Sequence, residues 1–450
     1  MAFHIPASCR PAFLVDITAG TLITLGMWFT GLANPVLRKT LAAPEQLVAV
    51  LIAIQTAVMI LSPGWAGASH LRRKAPFITF GALATGLLLI VAGAVAPALQ
   101  YWLPDGLLAQ TFLGSSIDIW AFFLLMALVF AASSGFSALQ VAVYRHNYPV
   151  AVRAKVVTRV NAVKVSVTLA VGVAVSLLMQ WRPDLYAPLM VLGGLCLVAG
   201  GFVYRRMPVA GEDGLPASIN APELRRRLLP AGTVALLKAD PHYRRFQLCQ
   251  TLHGSGNLIC EVAFPLIMLD PAQLNLDYRN YLTMNTIVPQ VLWITSSFLW
   301  APLVDRWSPS KVRVINTPFW ILGMILFPLS VLVPGGLILA YLAFASRGLA
   351  QGGSSLLWSL GPLHYARTGE DASHYLAVHN YLTGVRGLIA VILGGVIYFL
   401  IGMWVFILGG AMMVLATYLF YRQDKAEQRD PNFRSESSLA ASALAARERA

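Results

Sequence analysis

Apolar residues along this chain come in runs of about 20, separated by short polar segments, and not in the ten-residue alternation of barrel strands. Twelve such runs cover 12–33, 46–64, 77–98, 118–144, 160–180, 186–204, 246–268, 280–303, 314–333, 336–360, 377–400 and 403–421. At about 1.5 Å per residue each can cross a hydrocarbon core, where backbone groups are satisfied only inside a helix or a closed barrel. The pattern predicts an all-α membrane protein with twelve transmembrane helices, the last two joined by a tight turn around Gly402. A polar stretch, 205–245, divides the runs six and six. It gives an N-terminal bundle (1–204), a cytoplasmic central loop (205–245), a C-terminal bundle (246–421) and a polar, Ala/Ser-rich tail (422–450) expected to be disordered. Within the loop, 221–238 reads either as an amphipathic helix on the membrane surface or as a solvated linker.

Composition agrees. The chain is 57% hydrophobic and 12% charged, against about 25% charged in soluble domains. The net charge of +13 first suggests nucleic acid, but the bases sit between the apolar runs, where they set topology. Of 33 Lys and Arg, only Arg38, Lys39, Arg182 and Arg279 fall opposite the N-terminal side, and Lys164, Arg347 and Arg386 fall inside runs. This places both ends in the cytoplasm, for a multi-pass protein of a bacterial-type inner (plasma) membrane, expected to be a monomer in the lipid bilayer with no nucleic-acid partner. The run after Arg10 is too long for a signal peptide and reads as the first span. Cys9, Cys196, Cys249 and Cys260 have no metal-ligand spacing, so no metal or cofactor is expected. No GxxxxGK[ST] loop points to an ATP-driven pump.

The two halves echo each other. Trp65-Ala66 ends the second run and leads to His70-Leu71-Arg72-Arg73-Lys74; Trp300-Ala301 ends the eighth and leads to Asp305-Arg306, then Lys311 and Arg313. Ser134-Gly135-Phe136-Ser137 in the fourth run answers Gly352-Gly353-Ser354-Ser355 in the tenth. A six-span unit duplicated in parallel orientation fits these matches. On these residues the chain resembles the major facilitator superfamily, whose hallmark loop Gly-x-x-x-Asp-Arg-x-x-x-basic-basic follows the second and eighth spans. Pro302-Leu303-Val304-Asp305-Arg306 through Lys311 and Arg313 is similar to the second copy, with Pro302 or Ala301 in place of the glycine. The first copy is degraded, with His70 where the aspartate would stand. The resemblance implies two pseudo-symmetric six-helix bundles that alternate access to a central site. It also implies a gating loop of Asp305, Arg306 and Arg313, with His70, Arg72 and Arg73 in the weaker copy.

Ionisable groups inside spans are costly and are therefore functional candidates. Arg347 and Arg386 lie roughly 16 Å and 14 Å into their spans. Arg347 begins a polar stripe with Gln351, Ser354 and Trp358. Both arginines keep their charge at depth and need a carboxylate, carbonyls, water or an anion. Glu261, on a stripe with Gln247, Gln250 and Asn257, is one partner they could reach; an anionic substrate in a cavity is the other. Lys164 continues a stripe from Asn161 and can snorkel to the interface. Asp118 reads as the N-cap of the fourth span. Arg347, Arg386, Gln351, Trp358, Asn257, Gln250, Lys164 and Asn161 are the substrate-site candidates. Glu261, His253 and Asp16 are the candidates for coupling to H+.

The leading expectation is a secondary transporter, symporter or antiporter, of a small anionic solute. The alternatives are a non-transporting assembly factor or receptor of the same fold and a membrane-embedded enzyme. The enzyme would use His364, His374 and His379 with Glu370 and Asp371, whose spacing lacks a metal-ligand pattern.

Overall fold

A computed structural model describes residues 9–102, 111–112, 115–212, 215, 230–261, 263–269, 273–276, 280, 283–366, 372–430 and 433. Apart from one antiparallel pair of two-residue strands, Thr111–Phe112 with Ser115–Ser116, its regular structure is helical. Helical segments, in one piece or several, lie over the described residues of each of the twelve apolar runs. Seven of the described helical segments are long and apolar enough to cross a membrane.

The chain divides into two compact units. The first comprises Met1–Asn147 and Val160–Ala221; the second comprises Tyr148–Arg159 and Pro222–Ala450. In the first unit the principal helices are α1 (Arg10–Thr30), α2 (Glu45–Ala57), α3 (Lys74–Trp102), α4 (Ile117–Ser133), α5 (Phe136–Asn147), most of α6 (Val150–Trp181) and α7 (Tyr186–Tyr204). The expected fourth span is thus two helices, α4 and α5, parted at Ser134-Gly135. α7 packs on α1 and α3, and α3 packs on α4. Their shared core holds Phe29, Leu89, Phe122, Met126, Met190 and Leu197. Asp118 is not the N-cap of α4. Ser116 holds that position, and Asp118 sits in the first turn, accepting from Gln100 Nε2 at 2.9 Å and from Ser116 Oγ at 2.5 Å.

The second unit contains α8 (Pro230–Ala239), α9 (Pro241–Glu261), α10 (Ala263–Leu269), α11 (Val288–Arg306), α12 (Pro309–Leu332), α13 (Leu337–Leu360), α14 (Ala372–Ile401) and α15 (Val405–Arg429). Ser308 caps α12 by accepting from Lys311 N at 3.1 Å, with Pro309 entering the first turn. The α14–α15 turn passes through Gly402 with φ +59°, a left-handed conformation that costs little without a Cβ. α13 packs on α11 and α12, while α9 packs on α14 and α15. The core is aromatic: Phe264 meets Phe327, Phe406 and Phe344 with ring centroids 4.7, 4.9 and 5.3 Å apart.

Large apolar side chains on the outer faces, among them Phe80, Leu124, Phe202, Leu299 and Phe399, are exposed, as a lipid-facing surface requires. One reading of a polar segment changes. The last helix does not end at Tyr421: it runs to Arg429 because its final turns find partners. Asp424 Oδ1 accepts from Ser308 Oγ at 2.6 Å, and Glu427 Oε1 accepts from Tyr365 OH at 2.7 Å. In the central stretch, Pro230–Ala239 is helical; 221–229, with the Arg225–Arg227 triplet, lie outside the described residues, as do 434–450 of the tail.

Candidate functional site

The polar faces of α9, α12, α13 and α14 form a buried interior in the second unit. α12 contributes Arg313, Asn316 and Trp320 at helical spacing, so they share one face. Ser354 of α13 ties that face together. Its Oγ accepts from Arg313 Nη1 and from Trp320 Nε1, each at 2.9 Å, and donates to Asn316 Oδ1 at 2.8 Å. That exhausts the one donor and two acceptor sites of a hydroxyl. Asn316 in turn donates to Ala350 O at 2.8 Å. Arg313 is 4% exposed, well inside the unit.

α14 contributes His379, Thr383 and Arg386, again at helical spacing. Arg386 Nη1 donates to Gln250 O of α9 at 2.7 Å, and Nη2 to Thr383 Oγ1 at 3.1 Å. The guanidinium can lie on the α9 backbone because residue 254 is glycine; a Cβ there would collide with it. His379 Nδ1 pairs with Gln247 Oε1 at 3.0 Å, and its ring faces Trp358 at 6.0 Å. His253 stands edge-on to Trp320 at 6.5 Å. Arg313 and Arg386 lie within electrostatic reach of one another and of both histidines. Among the described residues neither arginine has a carboxylate within ion-pair distance.

Arg347 is different. Its Nη2 bonds Glu261 Oε2 at 2.8 Å, and its guanidinium covers the Phe264 ring at 4.0 Å, a cation–π contact that holds the base against the aromatic core. Of the two partners open to the deep arginines, Arg347 takes the protein carboxylate and Arg386 does not. The first unit likewise compensates Lys164, a buried base within its fifth run. Lys164 Nζ bonds Asp16 Oδ1 at 3.1 Å, with side chains 5% and 0% exposed. Gln140 Nε2 donates to the same oxygen at 3.3 Å, and Lys164 Nζ reaches Tyr144 OH at 3.4 Å. Lys164 therefore turns inward and does not snorkel.

Asp305, at the end of α11, accepts from Ala154 N in the early turns of α6 at 2.9 Å. It lines a small cavity of about 50 Å³ with Arg153, Val150, Leu357 and His364. Burial pushes His364 down to about 4, so its ring is neutral near pH 7.

Comparison with known proteins places this architecture. No protein-family model matches the sequence, and no curated protein matches it. Solved structures do. The proton:xylose symporter XylE of the major facilitator superfamily, bound to 6-bromo-6-deoxy-D-glucose, is 13% identical over 97% of this chain and 99% of its own, with TM-score 0.68. A bacterial homologue of the iron transporter ferroportin, in an outward-facing state, is 16% identical over 92% and 99%, with TM-score 0.66. The human organic anion transporter MFSD10 is 14% identical over 92% and 100%, with TM-score 0.60. The chain has the major facilitator fold.

Within that fold, the structure distributes the residues named from sequence unevenly. Gln250, His253 and Arg386 come together in the second unit's interior, with Arg347 and Glu261 paired beside the aromatic core. Asn257 lies on the α9 stripe and its Oδ1 is buried without a hydrogen-bond partner among the described residues. Gln351 and Trp358 are half-buried on α13, and Asn161 is half-buried on α6. Arg313 is not part of a loop pairing with Asp305: starting α12 at Pro309 carries residue 313 a full turn inward, onto Ser354. Arg306 is exposed.

In the first unit's loop, His70 and Arg72 are half-buried and Arg73 exposed. The carboxylate there comes from the central stretch: Glu212 Oε2 accepts from Lys74 N at 2.8 Å. Sequence reasoning placed Arg313 in the gating loop and His379 in the enzyme reading, not in this interior, and it missed Glu212. The first two were findable, from the spacings 313/316/317/320 and 379/383/386. Glu212 carries no local signal. Of the enzyme reading, Glu370 and Asp371 lie outside the described residues, and among those described no three His, Cys, Asp or Glu side chains converge as metal ligands.

Proposed function

We propose that this chain is a twelve-span secondary transporter of an anionic solute, with both ends cytoplasmic and the halves 1–204 and 246–421 alternating access to a central site. Arg386 and Arg313 act as counter-charges for the solute. The observation that carries this reading is the absence, among the described residues, of any carboxylate partner to buried Arg313 and half-buried Arg386. An uncompensated guanidinium in a low-dielectric interior is costly, and an anion arriving there removes that cost. The names of the structural neighbours span sugar, nucleoside, iron and organic-anion transporters, so the fold supports transport and the charge pattern supports the anion.

Proton coupling runs through Asp16 in this reading. Its Oδ2 is buried and without a hydrogen-bond partner among the described residues, so it can take a proton at the expense of the Lys164 pair. Glu261 and His253 are the other protonatable candidates. Asp305, with Arg306 and the weaker His70–Arg73 loop, gates the cycle by releasing and regaining the start of α6.

The experiment is an untargeted comparison of metabolites in cells with and without the gene, followed by uptake of the anion it identifies into proteoliposomes. Arg386→Ala is expected to abolish uptake with normal expression, and Arg313→Ala to do the same. Full uptake by both variants would overturn the cationic-site reading.

A further inference from the structure

The site described above has a definite charge count. Arg313 and Arg386 are held by neutral groups only: a serine hydroxyl, a backbone carbonyl and a threonine hydroxyl. A third deep base of the unit, Arg347, is already matched by Glu261. His253 and His379, between the two arginines electrostatically, add ring nitrogens and no negative charge. The interior therefore carries two fixed positive charges with nothing opposing them among the described residues.

It also carries unused hydrogen-bonding capacity. Nε of Arg313, Nε of Arg386, Nε2 of Gln250 and Nε2 of His253 are buried without a hydrogen-bond partner among the described residues, and Arg313, Gln250 and His253 are 4%, 2% and 6% exposed. Buried polar atoms are normally bonded, and each left unbonded costs about 1–3 kcal/mol. Both guanidinium Nε atoms and the Gln250 amide are donors in any protonation state near neutrality. A ligand that satisfies them must present several acceptor oxygens close together. A monoanion would leave one of the two bases uncompensated; a neutral solute would leave both.

On the reading of this chain as an anion transporter, we infer that Arg313 and Arg386 form a two-charge site for a dianionic oxyanion, a phosphate monoester or a dicarboxylate. The doubly charged ligand balances both guanidiniums, and its oxygens take the free Nε–H groups, in the fork geometry arginine offers carboxylates and phosphates.

The test uses the purified full-length chain in lipid nanodiscs at about pH 8, where a phosphate monoester is a dianion. Ligand-induced shifts of the thermal midpoint are titrated with two matched pairs: methyl phosphate against dimethyl phosphate, and succinate against monomethyl succinate. The expected result is at least tenfold tighter binding of the dianion in one pair, which also says whether phosphoryl or carboxylate oxygens are preferred. Arg313→Gln and Arg386→Gln should each erase that preference, and Arg386→Lys, which keeps the charge, should retain it.

Equal binding of dianion and monoanion in both pairs would overturn the two-charge site while leaving an anion transporter standing. A dianion preference that survives both Gln substitutions would place the site elsewhere and overturn the assignment. No shift with any of the four probes would overturn the site and the anion reading together.

Discussion

The two units each bury basic side chains, and they treat them in opposite ways. In the first, Lys164 meets Asp16 at 3.1 Å with both side chains nearly fully buried, and Gln140 and Tyr144 complete the group. The cluster is neutral as a whole. In the second, Arg313 and Arg386 have hydroxyls and a carbonyl for partners and repel one another. The fold tolerates both arrangements, but they differ in what they leave open. A matched pair leaves no net charge for a ligand to answer. An unmatched pair of arginines keeps an electrostatic demand that a ligand can meet. Arg347 shows that the second unit is not short of carboxylates as such: where Glu261 is in reach, the pair forms.

This contrast can be broken by mutation. The largest effect is expected in the first unit. Asp16→Asn strands the Lys164 charge in a dry site and should destabilise the protein by about 3–5 kcal/mol, read as a lowered thermal midpoint. Adding Lys164→Gln should recover most of the loss. No loss on Asp16→Asn would mean that the pair is not holding the unit together.

In the second unit the sign reverses. Arg313→Gln removes a charge that nothing compensates, so the unliganded midpoint should hold or rise by about 1 kcal/mol equivalent. A fall of several kcal/mol would reveal a hidden partner. Smaller again is Glu261→Gln. Its carboxylate is half exposed, and the Phe264 ring still covers Arg347, so the expected cost is about 0–1 kcal/mol in the same assay. The loop carboxylates sharpen the comparison further. Asp305→Asn should slow turnover with little change in binding, whereas Glu212→Gln, which loosens the weaker loop of the first unit, should slow it less. Equal effects would show that the two loops do the same task.

Much of the fold was legible because one physical constraint dominates it. Runs of about 20 apolar residues have few alternatives to helix in lipid, and Gly402, Pro309 and Ser308 mark turns by local chemistry. The site was legible only in part. Counting residues from a span's end gives the depth of Arg347 and Glu261 but not which way each faces, so their pairing could not be fixed until the helices were packed. Arg313 was read as part of the gating loop because its neighbours Arg306 and Lys311 lie near a boundary. The stripe it begins with Asn316 and Trp320 is the signal that it points inward. Lys164 was read as a snorkelling base because Asp16, distant in sequence, is brought beside it only by the packing of α1 near α6. Glu212 docking on Lys74 is a long-range contact that no pattern in 205–215 announces.

The most direct test sets the two buried clusters against each other in one binding measurement. Affinity for the anion identified by the metabolite comparison is measured with purified protein for three forms: wild type, Asp16→Asn with Lys164→Gln, and Arg313→Gln with Arg386→Gln. The account predicts that neutralising the first unit's pair leaves binding within a few-fold of wild type, while neutralising the second unit's arginines abolishes it. Retained binding in the arginine double variant, or loss in the Asp16–Lys164 double variant alone, would contradict it.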